Sequence, residues 1–144
     1  MIKDVIITPL KQIKDDRGSV MHMLRNDDNV FKTFGEIYFS TIFCNKIKGW
    51  HLHKESYLNY ACVSGEVKLV LYDDRSSSST RNQYEEIILS PDKYVLVTIP
   101  PNLWNGFKGL GKGQSIIANC LTFPHSEKEM VRKSYDDKYF QYNW

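Results

Sequence analysis

The residues best suited to proton chemistry in this chain lie in Gly49-Trp50-His51-Leu52-His53. In an extended strand, side chains two apart point the same way, so His51 and His53 should face one side together. Imidazole changes charge near neutral pH, and two of them on one face can act as acid, base, hydrogen bonder or metal ligands. A metal needs a third ligand and usually a fourth. Glu55 shares the face only if the strand continues, while His22 and His125 lie in other segments without ligand spacing. The expectation is a site with no metal and no cofactor. A second informative stretch is Ile99-Pro100-Pro101-Asn102-Leu103-Trp104-Asn105-Gly106-Phe107. Prolines at a strand end, then an aromatic and a glycine, suggest a rigid corner that presents Trp104 or Asn105 to a cavity. Trp104 and Phe107 can equally be core.

The elements that must position these residues read as strands. Ile37 to Phe43, Leu58 to Val63, Val67 to Tyr72, Glu85 to Leu89, Tyr94 to Ile99 and Ser115 to Phe123 are short and rich in Val, Ile, Tyr, Phe and Thr. Ser64-Gly65-Glu66, Ser90-Pro91-Asp92-Lys93 and Gly109-Leu110-Gly111-Lys112-Gly113 supply turns between them. Many short strands at this spacing predict an all-β antiparallel sandwich or barrel. One helical stretch is expected near Ser126 to Lys133, where Ser126 precedes Glu129 by three residues in a capping-box pattern.

Composition narrows the function. The 144 residues suffice for one domain, 1–144, and no linker or repeat divides them. A net charge of +2 with interspersed signs argues against a nucleic-acid partner. No apolar run approaches the roughly 18 residues that span a bilayer, so no membrane partner is expected. Cys44, Cys62 and Cys120 form no Cys-x-x-Cys pair, which points to a reduced, cytoplasmic protein.

Taken in order, the motifs resemble those of the sugar-epimerase cupins typified by dTDP-4-dehydrorhamnose 3,5-epimerase. Asp16-Arg17-Gly18 is similar to the family's early D-x-R-G, and Lys48-Gly49-Trp50-His51 to its R-G-L-H. Gly65-Glu66-Val67, Asp74-Arg75 and Ser79-Thr80 follow its G-E-V…D-x-R…S-P-T. Ile99-Pro100…Gly106-Phe107 resembles its I-P-x-G-F-x-H-G-F, and Tyr135-Asp136-Asp137 through Trp144 its W-N-D…W ending. The resemblance implies a cupin jelly roll that inverts C3 and/or C5 of a nucleotide-linked 4-keto-6-deoxy sugar in surface-polysaccharide biosynthesis. It implies His51 as the base, Asp137 as the carboxylate paired with it, and Arg17 and Lys48 as contacts to the nucleotide diphosphate. It also implies a strand-exchanged homodimer in which Arg17 reaches the neighbouring subunit's site.

Several family positions differ. The lysine seven residues before the glycine of G-E-V is Leu58, the tyrosine after the G-F motif is absent from Ile117-Ala118-Asn119-Cys120, and the second histidine is Asn105. Epimerisation beside a ketone still needs a proton donor on the face opposite the base and hydrogen bonds to the enolate. Tyr38 is the candidate acid, with Tyr60 and Cys120 as alternatives, and His53 can hydrogen-bond the enolate. Asn105, Trp104 and Tyr60 complete the candidate substrate contacts. Two other readings stand beside this one. Gly49-Trp50-His51-Leu52-His53-Lys54 also resembles the G-x-H-x-H-K of nucleotide-sugar 3,4-ketoisomerases, and a non-catalytic sugar-nucleotide-binding cupin would explain the lost lysine and tyrosine.

Overall fold

The computed structural model describes all 144 residues and contains twelve strands and no helix. These are β1 (Ile6–Pro9), β2 (Gln12–Asp15), β3 (Gly18–Met21), β4 (Glu36–Phe43), β5 (Ile47–His53) and β6 (Leu58–Ser64). They continue as β7 (Val67–Tyr72), β8 (Tyr84–Leu89), β9 (Val95–Ile99), β10 (Trp104–Gly109), β11 (Gln114–Leu121) and β12 (Met130–Arg132). Two five-stranded antiparallel sheets form, ordered β1-β9-β6-β11-β4 and β12-β5-β10-β7-β8. This is the cupin jelly roll.

Period-two alternation fills the space between the sheets. Leu58, Tyr60 and Cys62 of β6 meet Val67, Leu69 and Leu71 of β7 in the main core, with Ile117 and Leu121 of β11 and Phe107 of β10. The opposite face of the second sheet is covered too. Trp50, Val70, Tyr72, Trp104 and Phe140 form a second buried cluster there, with Trp50 stacked on Phe140 at 4.4 Å. The segment after β12 thus straps the outside of the sheet by its aromatic rings.

Three features depart from the sequence reading. Ser126 to Lys133 is a turn leading into β12, not a helix. Met130, Val131 and Arg132 instead pair with His53, Leu52 and His51 of β5, and that tertiary pairing overrides the capping-box preference. The proline-rich corner continues directly as strand β10, and Glu55 lies exposed beyond the end of β5. The short N-terminal strands, of mixed polarity, carry too weak an alternation to read. Among them, β2 and β3 form a separate hairpin with Ile13 and Val20 exposed.

The detail that matters most for the site is a β-bulge. Asn105 pairs with His51, but Phe107 pairs with Lys48, so three steps on β5 oppose two on β10. Gly106 and Gly49 make room for it: a Cβ on Gly106 would stand 2.9 Å from Gly49 Cα and 3.0 Å from the Lys48 carbonyl oxygen. The extra residue turns Trp50 outward into the aromatic cluster while Lys48 and His51 both face inward.

Candidate active site

A cavity of about 420 Å³ opens between the two sheets at the β4–β5 edge. One wall is β5 and β12, bringing Lys48, His51, His53 and Arg132; the other is β4 and β6, bringing Glu36, Tyr38, Ser40 and Tyr60. His51 and His53 therefore share a wall, as their spacing requires, and Tyr38 faces them from the opposing sheet.

The two imidazoles differ in their surroundings. His51 is half-buried and its ring makes no hydrogen bond within the chain. Burial, Arg132, His53 and Lys48 together push its pKa down to about 4, so the ring is neutral at neutral pH with a free lone pair. His53 is buried, and its Nδ1 lies 2.7 Å from Oε2 of Glu129, which is also buried. The other oxygen of Glu129 accepts the backbone N–H groups of Ser56, at 2.9 Å, and Glu55, at 3.2 Å. Burial raises the Glu129 carboxyl, but those two amides and the His53 ring outweigh it and hold it below its ordinary value.

A polar chain lines the facing wall. Asn119 of β11 sits in register between Tyr38 of β4 and Tyr60 of β6. Its Nδ2 donates to the Tyr38 oxygen at 3.0 Å, while its Oδ1 accepts the Asn59 N–H at 3.1 Å. Tyr60 donates to Asn105 Oδ1 at 3.2 Å. Burial raises the Tyr38 phenol, despite the bond from Asn119, and burial raises Tyr60 far more. Both stay protonated at neutral pH. Tyr38 on the neighbouring strand is thus bonded to Asn119, in the stretch of β11 that lacks a tyrosine.

Cations sit at the cavity's open side. Lys48 reaches across to Ser40 Oγ at 3.2 Å, bridging the sheets, and Arg132 is directly across the ladder from His51. These charges suit a diphosphate.

Other expected residues lie elsewhere. Asp137 does not meet His51: its carboxylate accepts the Tyr139 N–H at 2.8 Å and stands 3.6 Å from Lys133 Nζ, on the outer strap. Trp104 points away from the cavity, packs on Phe140 and donates to Asp74 at 2.9 Å, because alternation along β10 turns Asn105 and Phe107 inward instead. Asn105 is wholly buried and already engaged, its Nδ2 donating to the His51 carbonyl at 3.1 Å. It positions β5 rather than facing a ligand. Cys120 alternates with Asn119 on β11 and so is turned to the other face of its sheet, with burial pushing its thiol up. Arg17 sits at the tip of the β2–β3 hairpin, its side chain 85% exposed and paired with Asp15.

Glu129 and Arg132 also belong to the site, although the local pattern around Glu129 is that of a helix cap. The signal available was a glutamate three residues before an arginine in a β-rich stretch, which only strand pairing with β5 turns into a site. No group of three or more His, Cys, Asp or Glu side chains stands together as a metal site.

Comparison with known proteins decides the family. Residues 1–144 match the dTDP-4-dehydrorhamnose 3,5-epimerase family. The chain belongs to it. Among relatives, a probable low-salt glycan biosynthesis epimerase of Haloferax volcanii, Agl13, is 27% identical over 147 residues, covering 99% of this chain and 94% of that protein. The Bacillus subtilis spore coat polysaccharide biosynthesis protein SpsL is 27% identical over 146 residues, covering 100% and 97%. The crystal structure of a dTDP sugar isomerase from Desulfovibrio desulfuricans G20 superposes with a TM-score of 0.96 at 35% identity, covering 99% of this chain and 92% of that one. In this epimerase family the chain is therefore represented along its full length, and the strands that build the cavity fall inside the match.

Proposed function

We propose that the chain inverts C3 and/or C5 of a nucleotide-diphosphate-linked 4-keto-6-deoxy sugar, in the making of a surface or coat polysaccharide. The observation that carries this reading is the pairing of opposed walls: a neutral imidazole, His51, on one sheet and a protonated phenol, Tyr38, on the other. Epimerisation removes a proton from one side of a carbon and returns one to the other, so base and acid must flank the sugar. His51 takes the proton α to the ketone, the electron pair of that C–H bond moves into the enolate, and Tyr38 protonates the carbon from the opposite wall. Lys48 and Arg132 hold the diphosphate, and no cofactor enters the step.

Incubation with several 4-keto-6-deoxy sugar nucleotides in deuterated water tests the reading. Deuterium should enter at C3, C5 or both, with inversion. Absence of exchange into every such substrate would sink it. Because His51 and His53 share one wall, transfer between adjacent carbons on a single face is the second reading. A product whose carbonyl has moved to C3 would select that ketoisomerase reaction.

We further propose a homodimer, which the surface left uncovered on the single chain supports. Ile37, Phe39 and Phe43 are 49%, 62% and 63% exposed along the edge strand β4, and an isolated two-stranded hairpin such as β2–β3 is marginal in water. Light scattering at micromolar concentration should give twice the 16.9 kDa chain mass; a monomer there overturns the dimer. All three cysteines are free, in keeping with a cytoplasmic site of action.

A further inference from the structure

We propose that His53 is a second base of the cavity, with Glu129 as its positioning residue. The inference rests on the epimerase reading for its kinetic arm alone. His53 lines the cavity, and its Nδ1 is bonded to Glu129 Oε2 at 2.7 Å. A carboxylate accepts and cannot donate, so in the neutral ring Nδ1 carries the proton and Nε2 keeps the lone pair. Nε2 makes no hydrogen bond within the protein and is not among its buried unpartnered polar atoms, so it is open to the cavity.

Glu129 is itself held, its second oxygen clamped by the N–H groups of Glu55 and Ser56 just past the end of β5. A flip of the ring would break its bond to a carboxylate that two backbone amides hold in place. This arrangement differs from that of His51, whose ring has no partner. Two differently prepared bases on one wall are redundant for a single proton, but a 4-keto sugar offers an acidic carbon on each side of its carbonyl. His53 takes the proton from one of them: the C–H bond breaks, its electrons enter the enolate, and the imidazolium formed is balanced by Glu129.

Glu129→Gln separates positioning from bulk. The glutamine carbonyl can still accept the two backbone N–H groups, which leaves its NH₂ facing His53. Nδ1 must then become the acceptor and the proton moves to Nε2, removing the lone pair from the cavity. Nitrogen-15 NMR of the histidine rings should show His53 as the Nδ1–H tautomer in the wild type and the Nε2–H tautomer in Glu129→Gln, with the melting temperature little changed. Deuterium entry at one carbon α to the ketone should fall at least about a hundredfold in Glu129→Gln and in His53→Gln, with KM within about threefold; tautomer errors alone cost other histidine catalysts on the order of 10⁴. Glu129→Asp should restore part of the loss and the Nδ1–H signal.

A wild-type spectrum lacking the Nδ1–H tautomer overturns the pair. A tautomer shift in Glu129→Gln with exchange unchanged at every carbon overturns the role of His53. A wild type inert towards every keto-sugar defeats the epimerase reading instead, and the NMR arm still reports on the pair.

Discussion

Replacing His51 by asparagine should lower turnover at least about a hundredfold while leaving fold and nucleotide affinity intact, the usual contribution of a positioned base. A proton α to a ketone is too weakly acidic for water to remove quickly, and the group that takes it must be unprotonated when the sugar arrives. Burial and the charges of Arg132 and Lys48 secure that for His51, whose pKa lies at about 4. The same charges weaken the base, and on the proposed mechanism a bound diphosphate would pair with them and lift their share of the suppression, making the ring more basic once substrate is in place.

The pH dependence follows with a definite sign. A histidine depressed from its ordinary value of 6.5 to about 4 stays neutral through that interval in the free enzyme. The acid limb of kcat/KM, which reports the free enzyme, should therefore fall only well below pH 6.5. The acid limb of kcat, which reports the complex, should lie at higher pH than that of kcat/KM. The asparagine side chain cannot accept the proton, yet it is small and polar enough for the half-buried position. Wild-type turnover in His51→Asn would remove His51 from the mechanism.

Tyr38→Phe should abolish inversion by about a hundredfold to ten-thousandfold while deuterium still exchanges into the sugar. On the proposed mechanism the enolate would form at the His51 wall in either case, and without the phenol it would be reprotonated by the group that deprotonated it. Exchange with retention is then the signature. The phenylalanine ring keeps the packing of Tyr38 against the core, and it leaves Asn119 Nδ2 without its acceptor. An unsatisfied buried donor costs about 1–3 kcal/mol, so some loss of stability should accompany the kinetic effect and be read separately by thermal melting. Unchanged inversion would pass the role to Tyr60, the remaining phenol of that wall, since Cys120 is turned to the far side of its sheet.

What the amino-acid order by itself determined here is whatever depends on near neighbours along the chain. Alternation of apolar residues in Val67 to Tyr72 or Leu58 to Val63 specifies strands with one face in a core, and many such strands specify a sandwich. The same period of two put His51 and His53 on one wall before any partner was known. The order of short motifs was enough to point to the epimerase cupins.

Tertiary structure decided everything that depends on which strands pair. Glu129 reaches His53 across 76 positions only because β12 docks beside β5, and no local pattern encodes that docking. The capping-box signature at Ser126 and Glu129 described a helix the chain never forms, because sheet pairing outweighs a preference worth about 1 kcal/mol. Asn119 supports Tyr38 because β4, β6 and β11 lie side by side in one register. The bulge at Gly49 and Trp50 set Lys48 and His51 facing inward together, three residues apart, where strict alternation would have sent them to opposite faces. Asp137, close to the cavity in the ordering of motifs, is carried instead onto the outer strap by the burial of Phe140 against Trp50. A side chain's direction is local, but its partner is chosen by the fold.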